Sequence, residues 1–163
     1  MTTAEHRAQL GHLATARAAQ RLILEQHTEL RRLLAFALIE TCLPLRGQPS
    51  APTTLRFLVA RIRTAFIEHL GDEEAALPLL LDGDTLPRRA QILREEHARQ
   101  RRALDEVHAL SQTESAAVFA ERFDALARTL LIDIAEEERE LTRARAACDQ
   151  RARSRERAAV APG

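Results

Sequence analysis

Four stretches of the chain repeat apolar residues every three or four positions, the spacing that gathers them on one face of an α-helix. In the first, about residues 12–42, the stripe reads Ile23, His27, Leu30, Leu34, Leu38. In the second, about 53–81, it reads Leu55, Val59, Ile62, Phe66, His69, Glu73, Leu77, Leu80. The third, about 87–110, runs Leu93, His97, Gln100 or Arg101, Leu104, Val107. The fourth, about 116–147, runs Phe119, Phe123, Leu126, Leu130, Asp133, Glu137, Leu141. All four are rich in Ala, Leu, Arg and Glu, which favour helix, and β-branched residues are too scattered to build strands. Segments 44–52, 82–87 and 111–115 concentrate Pro, Gly, Asp and Ser and are expected to be loops. Thr53 or Thr54 is expected to cap the second helix and Ser115 the fourth. Short loops between long amphipathic helices predict an all-α fold, an up-down-up-down four-helix bundle over residues 1–147. In 148–163, Arg151, Arg153, Arg155 and Arg157 alternate with small or polar residues, and a disordered Arg-rich tail is expected there.

Each stripe is interrupted by side chains that ligate metals: His27, His69, Glu73, His97, Asp133 and Glu137. A carboxylate turned toward a Leu/Phe core costs several kcal/mol unless it is paired or coordinates a cation, at roughly the scale of any buried charge. His69 and Glu73 are four residues apart, so they project from one face one turn apart, and Asp133 and Glu137 repeat that spacing. His27 lies about 15 residues before the end of its helix and His69 about 16 after the start of the next, so in an antiparallel pair they meet at one height. His69/Glu73 and His97 match in the same way. The fourth helix fits less well, with His97 about 13 residues from its helix end and Asp133 about 18 from the next start. Six side chains from four walls predict a site for two ions, with Glu73 and Glu137 bridging and the His residues and Asp133 terminal. Imidazole and carboxylate without thiolate suit iron or manganese, with zinc as a further possibility. Open positions on two such ions would admit water, O₂, peroxide or NO, next to an apolar pocket around Phe66, Phe123 and Leu130. Glu74 and Glu138, which follow the two carboxylates of the stripe, are expected to face solvent or to support the ligands. Arg101 is expected to pair with Asp133 or with a bound anion, and His6, His12 and His108 to lie at the surface or the core edge. The competing expectation is a metal-free helical regulatory module whose polar core is a hydrogen-bonded network.

Composition narrows the function further. The 163 residues are 45% hydrophobic, enough for one domain with a real core. Trp and Tyr are absent, which removes a Tyr radical and an aromatic platform for single-stranded nucleic acid. The net charge is zero, so no global basic field gathers nucleic acid or anionic lipid. Every basic residue is Arg, which reads as codon bias rather than mechanism. Cys42 and Cys148 make no disulfide framework and are expected to be reduced thiols. No apolar run is long enough to span a bilayer, and residues 1–10 lack a signal-peptide core, so the cytoplasm is the expected compartment. The expected partners are a small diatomic or peroxide ligand, with neither nucleic acid nor membrane; no protein partner is legible.

The run Leu24-Glu25-Gln26-His27-Thr28-Glu29-Leu30-Arg31-Arg32-Leu33-Leu34 resembles the first-helix motif of hemerythrin-like (HHE cation-binding) domains. The run from Phe66 to Leu80, containing His69-Leu70-Gly71-Asp72-Glu73, is similar to the family's His-x-x-x-Glu second motif, and Arg94-Glu95-Glu96-His97-Ala98-Arg99-Gln100-Arg101 resembles the third. The resemblance covers about residues 15–145 and implies a non-haem di-iron centre, two ions with an oxo or hydroxo bridge, inside a four-helix bundle. Family members include oxygen carriers, iron or oxygen sensors, and proteins acting on peroxide or NO, so enzyme activity stays open. The fourth motif departs from His-x-x-x-Glu, with Asp133 in the His place before Glu137. Arg101 stands where oxygen carriers resemble one another in having a further His. Three imidazoles and three carboxylates imply redox turnover, iron sensing or storage, or single-metal binding, rather than reversible O₂ carriage.

Overall fold

The computed structural model describes residues 3–43, 52–80, 86–113 and 115–160, and among these there is no strand. Four helices follow in chain order: α1 (Thr3–Cys42), α2 (Pro52–Leu80), α3 (Leu86–Thr113) and α4 (Ala116–Val160). Each packs against its neighbours in chain order, and α4 closes against α1, giving the square up-down-up-down bundle that the stripes predict. The expected loops at 44–52 and 82–87 fall almost wholly outside the described residues.

The helix ends differ from expectation in physically readable ways. Helix α2 begins on Pro52, whose fixed φ and missing N–H suit a first helical position, so Thr53 and Thr54 lie inside the helix rather than capping it. Helix α3 runs to Thr113 instead of stopping near 110. Ser111 stays helical by turning its hydroxyl back to the His108 carbonyl, 2.6 Å away. Ser115 does stand before α4, where its Oγ accepts from the Val118 amide at 3.5 Å and its carbonyl from the Phe119 amide at 3.0 Å. Helix α4 continues to Val160, through most of the stretch expected to be a tail. Between residues 148 and 160 the chain offers Ala, Arg, Glu and Gln and no breaker before Pro162, so helix propensity alone carries it on.

The core falls into two apolar clusters. The larger is built around Leu30, Leu34, Ile62, Phe66, Leu70, Phe123 and Leu130, each at most 1% exposed. The smaller joins Ile23, Ala76 and Leu141 at the other end of the bundle. On α4 the deepest column is Phe119, Phe123, Ala127, Leu130 and Ile134. Leu126 and Asp133, one heptad apart, therefore stand on its flank and are only half-buried. Among the described residues no helix is long and apolar enough to cross a membrane.

Candidate metal centre

A polar layer separates the two apolar clusters. Along α1 it falls between Ile23 and Leu30, along α2 between Phe66 and Ala76, and along α4 between Ile134 and Leu141. His27, His69 and His97 in this layer are at most 1% exposed, Glu73 is buried, and Glu137 is partly buried. Five of the six expected ligands converge here. His27 Nε2 lies 3.2 Å from Glu137 Oε2, and His97 Nε2 lies 3.2 Å from Glu73 Oε2. His69 Nε2 sits between the two carboxylates, 3.8 Å from each. The His27 and His69 rings meet edge to face with centroids 4.7 Å apart. Ligand atoms of His27, His69 and Glu137 all lie within 4.8 Å of one another, close enough to grip one ion.

The other side of each imidazole faces a neighbouring helix, which holds it by a hydrogen bond in His69 and His97. His97 Nδ1 contacts Glu74 Oε1 at 2.9 Å, and the same oxygen accepts from Arg101 Nη2 at 2.8 Å. His69 Nδ1 contacts Gln26 Oε1 at 3.2 Å, while the Gln26 amide donates to Asp72 Oδ2 at 2.6 Å. His27 Nδ1 lies 3.5 Å from Glu138 Oε1 without hydrogen-bonding it, and Arg31 Nη1 holds that carboxylate at 2.9 Å. Each supporting residue is the chain neighbour of a converging one: Gln26 of His27, Glu74 of Glu73, Glu138 of Glu137. An acceptor at Nδ1 keeps the proton there and leaves the Nε2 lone pair facing inward, the tautomer a cation needs.

The inward atoms face one another as ion pairs but form no hydrogen bond of good geometry. His27 Nε2, His69 Nε2, His97 Nε2, Glu73 Oε2 and Glu137 Oε2 are all buried without a hydrogen-bond partner. Burial pushes the Glu137 carboxyl up, but the imidazoles of His27 and His69 outweigh it and hold its pKa at about 2. Burial pushes His97 down, and Glu73 and Glu74 outweigh it, so His97 keeps its proton above the ordinary imidazole range. Burial likewise raises Glu74, but His97 and Arg101 leave it below the ordinary carboxylate range.

Asp133 is the expected ligand that does not join the cluster. It is half-buried on the flank of α4 that faces α3, where its carboxylate accepts from Gln100 Nε2 at 3.0 Å. The lengthened α3 makes this contact possible. His97 lies 16 residues before the end of α3 and Asp133 17 after the start of α4, which restores the height match that an early end at 110 would deny. Arg101 pairs with Glu74 rather than with Asp133. Of the expected apolar surroundings, Phe66 is fully buried and meets the His69 ring edge to face with centroids 6.1 Å apart, whereas Phe123 on α4 lies about 21 Å along the helix axis from Glu137, deep in the larger cluster. His108 is half-buried toward the far end of α3, and the side chains of His6, His12 and Cys148 lie outside the described residues. Cys42 is a free, half-buried thiol. Gln26, Arg31 and Asp72 were not singled out by the apolar pattern. Only the position of Gln26 and Arg31, one residue before and one turn after His27, could have marked them.

Neither the curated proteins nor the solved structures compared with the chain match it. Residues 18–144, which contain all five converging side chains and their supports, match the hemerythrin HHE cation-binding domain, and the chain belongs to that family.

Proposed function

We propose that the chain binds two metal ions, iron foremost, at His27, His69, Glu73, His97 and Glu137, and uses them to bind, sense or process O₂, peroxide or NO, or to sense iron. One observation carries this reading: five buried donor atoms from four helices face one another with no hydrogen-bond partner. Each buried polar atom left unsatisfied costs about 1–3 kcal/mol, so five in one layer oppose the packing around them. Cations take up all five lone pairs at once. A metal-free polar network would rest on the His27–Glu137 and His97–Glu73 ion pairs at 3.2 Å, in which no hydrogen bond of good geometry forms. Three imidazoles and two carboxylates suit iron or manganese, and zinc less selectively. Bound as a pair, iron supplies redox equivalents and open coordination positions for a small ligand.

The protein's own residues set the conditions for that chemistry. Phe66, Leu70 and Ile134, each within one turn of a converging residue, exclude water from one side of the layer. Gln26 and Glu74 fix the Nδ1 protons of His69 and His97, and Glu73 and Glu137 bring negative charge to offset the cations. Loading the metal-free protein with ferrous iron under anaerobic conditions should give about two equivalents per chain, because ligands held ready in the fold bind without refolding. The ultraviolet–visible spectrum should change on admitting O₂. His69→Ala and Glu137→Ala should each lose most of the iron and His108→Ala none; equal loading in all three contradicts the assignment. Peroxide dismutation is a second version of the activity, and it falls if the iron-loaded protein evolves no O₂ from peroxide.

A further inference from the structure

The ligand supply divides unequally. Around Glu137 Oε2, two imidazole nitrogens converge at 3.2 and 3.8 Å, one from α1 and one from α2. These three residues are the only group of described side chains close enough together to hold an ion as a set of three. Around Glu73 Oε2, the near partner is His97 at 3.2 Å, with His69 at 3.8 Å shared with the first group. The residue that would complete this second set, Asp133, points its carboxylate at Gln100 instead. Arg101, one turn after His97, is a cation, and its guanidinium is tied to Glu74. Neither residue adds a donor on the α3 side.

We propose that the two ions are held in sequence and unequally: a first, tight one by His27, His69 and Glu137, and a second, weaker one by Glu73 and His97. This rests on the cation-binding reading above and adds an order of filling to it. Losing even a residue that merely supports a ligand typically weakens a metal by about 10–100-fold. A position short of a whole ligand should therefore lag by at least about tenfold. Gln100 is then a specificity-determining residue, because it withholds Asp133 from the second position. Its Oε1 is buried without a hydrogen-bond partner, so its side chain is poorly anchored on that side.

The test is an anaerobic titration of the full-length metal-free protein with ferrous iron, followed by calorimetry and checked by elemental analysis. The wild type should take up iron in two resolved steps of one equivalent each, the second weaker by about tenfold or more. His97→Gln should keep the first step and lose the second, whereas His27→Gln should lose the tight step. Gln100→Ala should tighten the second step by freeing Asp133, a gain that a damaged fold would not produce. Far-ultraviolet circular dichroism on each variant confirms that the helices persist. A single step of two equivalents in the wild type overturns the inequality while leaving cation binding intact. So does the loss of both steps in a folded His97→Gln protein. Failure of the wild type to take up any iron overturns the cation-binding reading itself.

Discussion

Each buried imidazole here has two sides with different tasks. In His69 and His97 the Nδ1 is fastened to a neighbouring helix, in His27 it only faces Glu138, and in all three the Nε2 is left for a cation. Glu74 shows what the fastening contributes, because it accepts from both His97 Nδ1 and Arg101. Glu74→Ala should weaken the ion held by His97 by about 10–100-fold, measured as a shift of that step in an iron titration. The Glu137 step should stay in place, because His27 and His69 do not depend on Glu74. Protons compete for the same lone pairs. Glu73 and Glu74 hold the His97 proton above the ordinary imidazole range, while Glu137 at about 2 is ionised throughout the neutral range. Loading should therefore fall as the pH drops through the imidazole range, and the profile should report imidazole rather than carboxylate. A loading curve that stays flat down to the carboxylate range would contradict this. The apolar stripes make the five converging residues legible, because a ligand on a core face breaks the pattern at a countable spacing. Asp133 sits at that same spacing from Glu137. Its displacement follows from the exact rotation of α4, which is set by Ala127 and Ile134 packing in place of Leu126 and Asp133.

At the scale of the helix, the chain follows propensity further than its punctuation suggests. Three residues that look like breakers, Ser111, Gln112 and Thr113, stay helical in α3, and Ser111 does so through its bond to His108. The stripe itself is readable because it depends on one periodic property summed over many residues. Ends depend on a single cap or one local bond, so they shift by several residues and move the height of every side chain above them. Gly71 is the exception inside α2, between His69 and Glu73. It is exposed, and a Cβ built there meets nothing within 4 Å. Packing therefore gives no reason for a glycine that costs helix about 0.5–1 kcal/mol relative to Ala. Gly71→Ala should raise the unfolding midpoint by about 1–4 °C for a chain of this size, with the metal stoichiometry unchanged. A loss of metal on this substitution would show that α2 must flex at Gly71 for the site to fill.

At the scale of the whole molecule, the bundle holds a polar layer between two apolar clusters of unequal size. The larger cluster draws on all four helices and contains none of the converging ligands. Phe123, at 1% exposure within it, should cost about 3–5 kcal/mol when truncated to Ala, whether or not metal is present. The smaller cluster, Ile23, Ala76 and Leu141, has far less apolar surface to hold its end of the bundle together. One cation joining α1, α2 and α4 and a second joining α2 and α3 in the intervening layer would fasten that end. The metal-free protein should therefore remain folded on the strength of the larger cluster but unfold at a lower temperature. An ion bound only to the folded chain adds about 2.7 kcal/mol at a hundred times its dissociation constant, so the midpoint should climb with free iron and fall back on chelation. Hydrogen exchange should locate the gain at the end holding Ile23, Ala76 and Leu141, with amides around Phe66 and Phe123 less affected. A midpoint indifferent to chelation in a protein shown to carry iron would mean that the unfolded chain binds the metal as well as the bundle does.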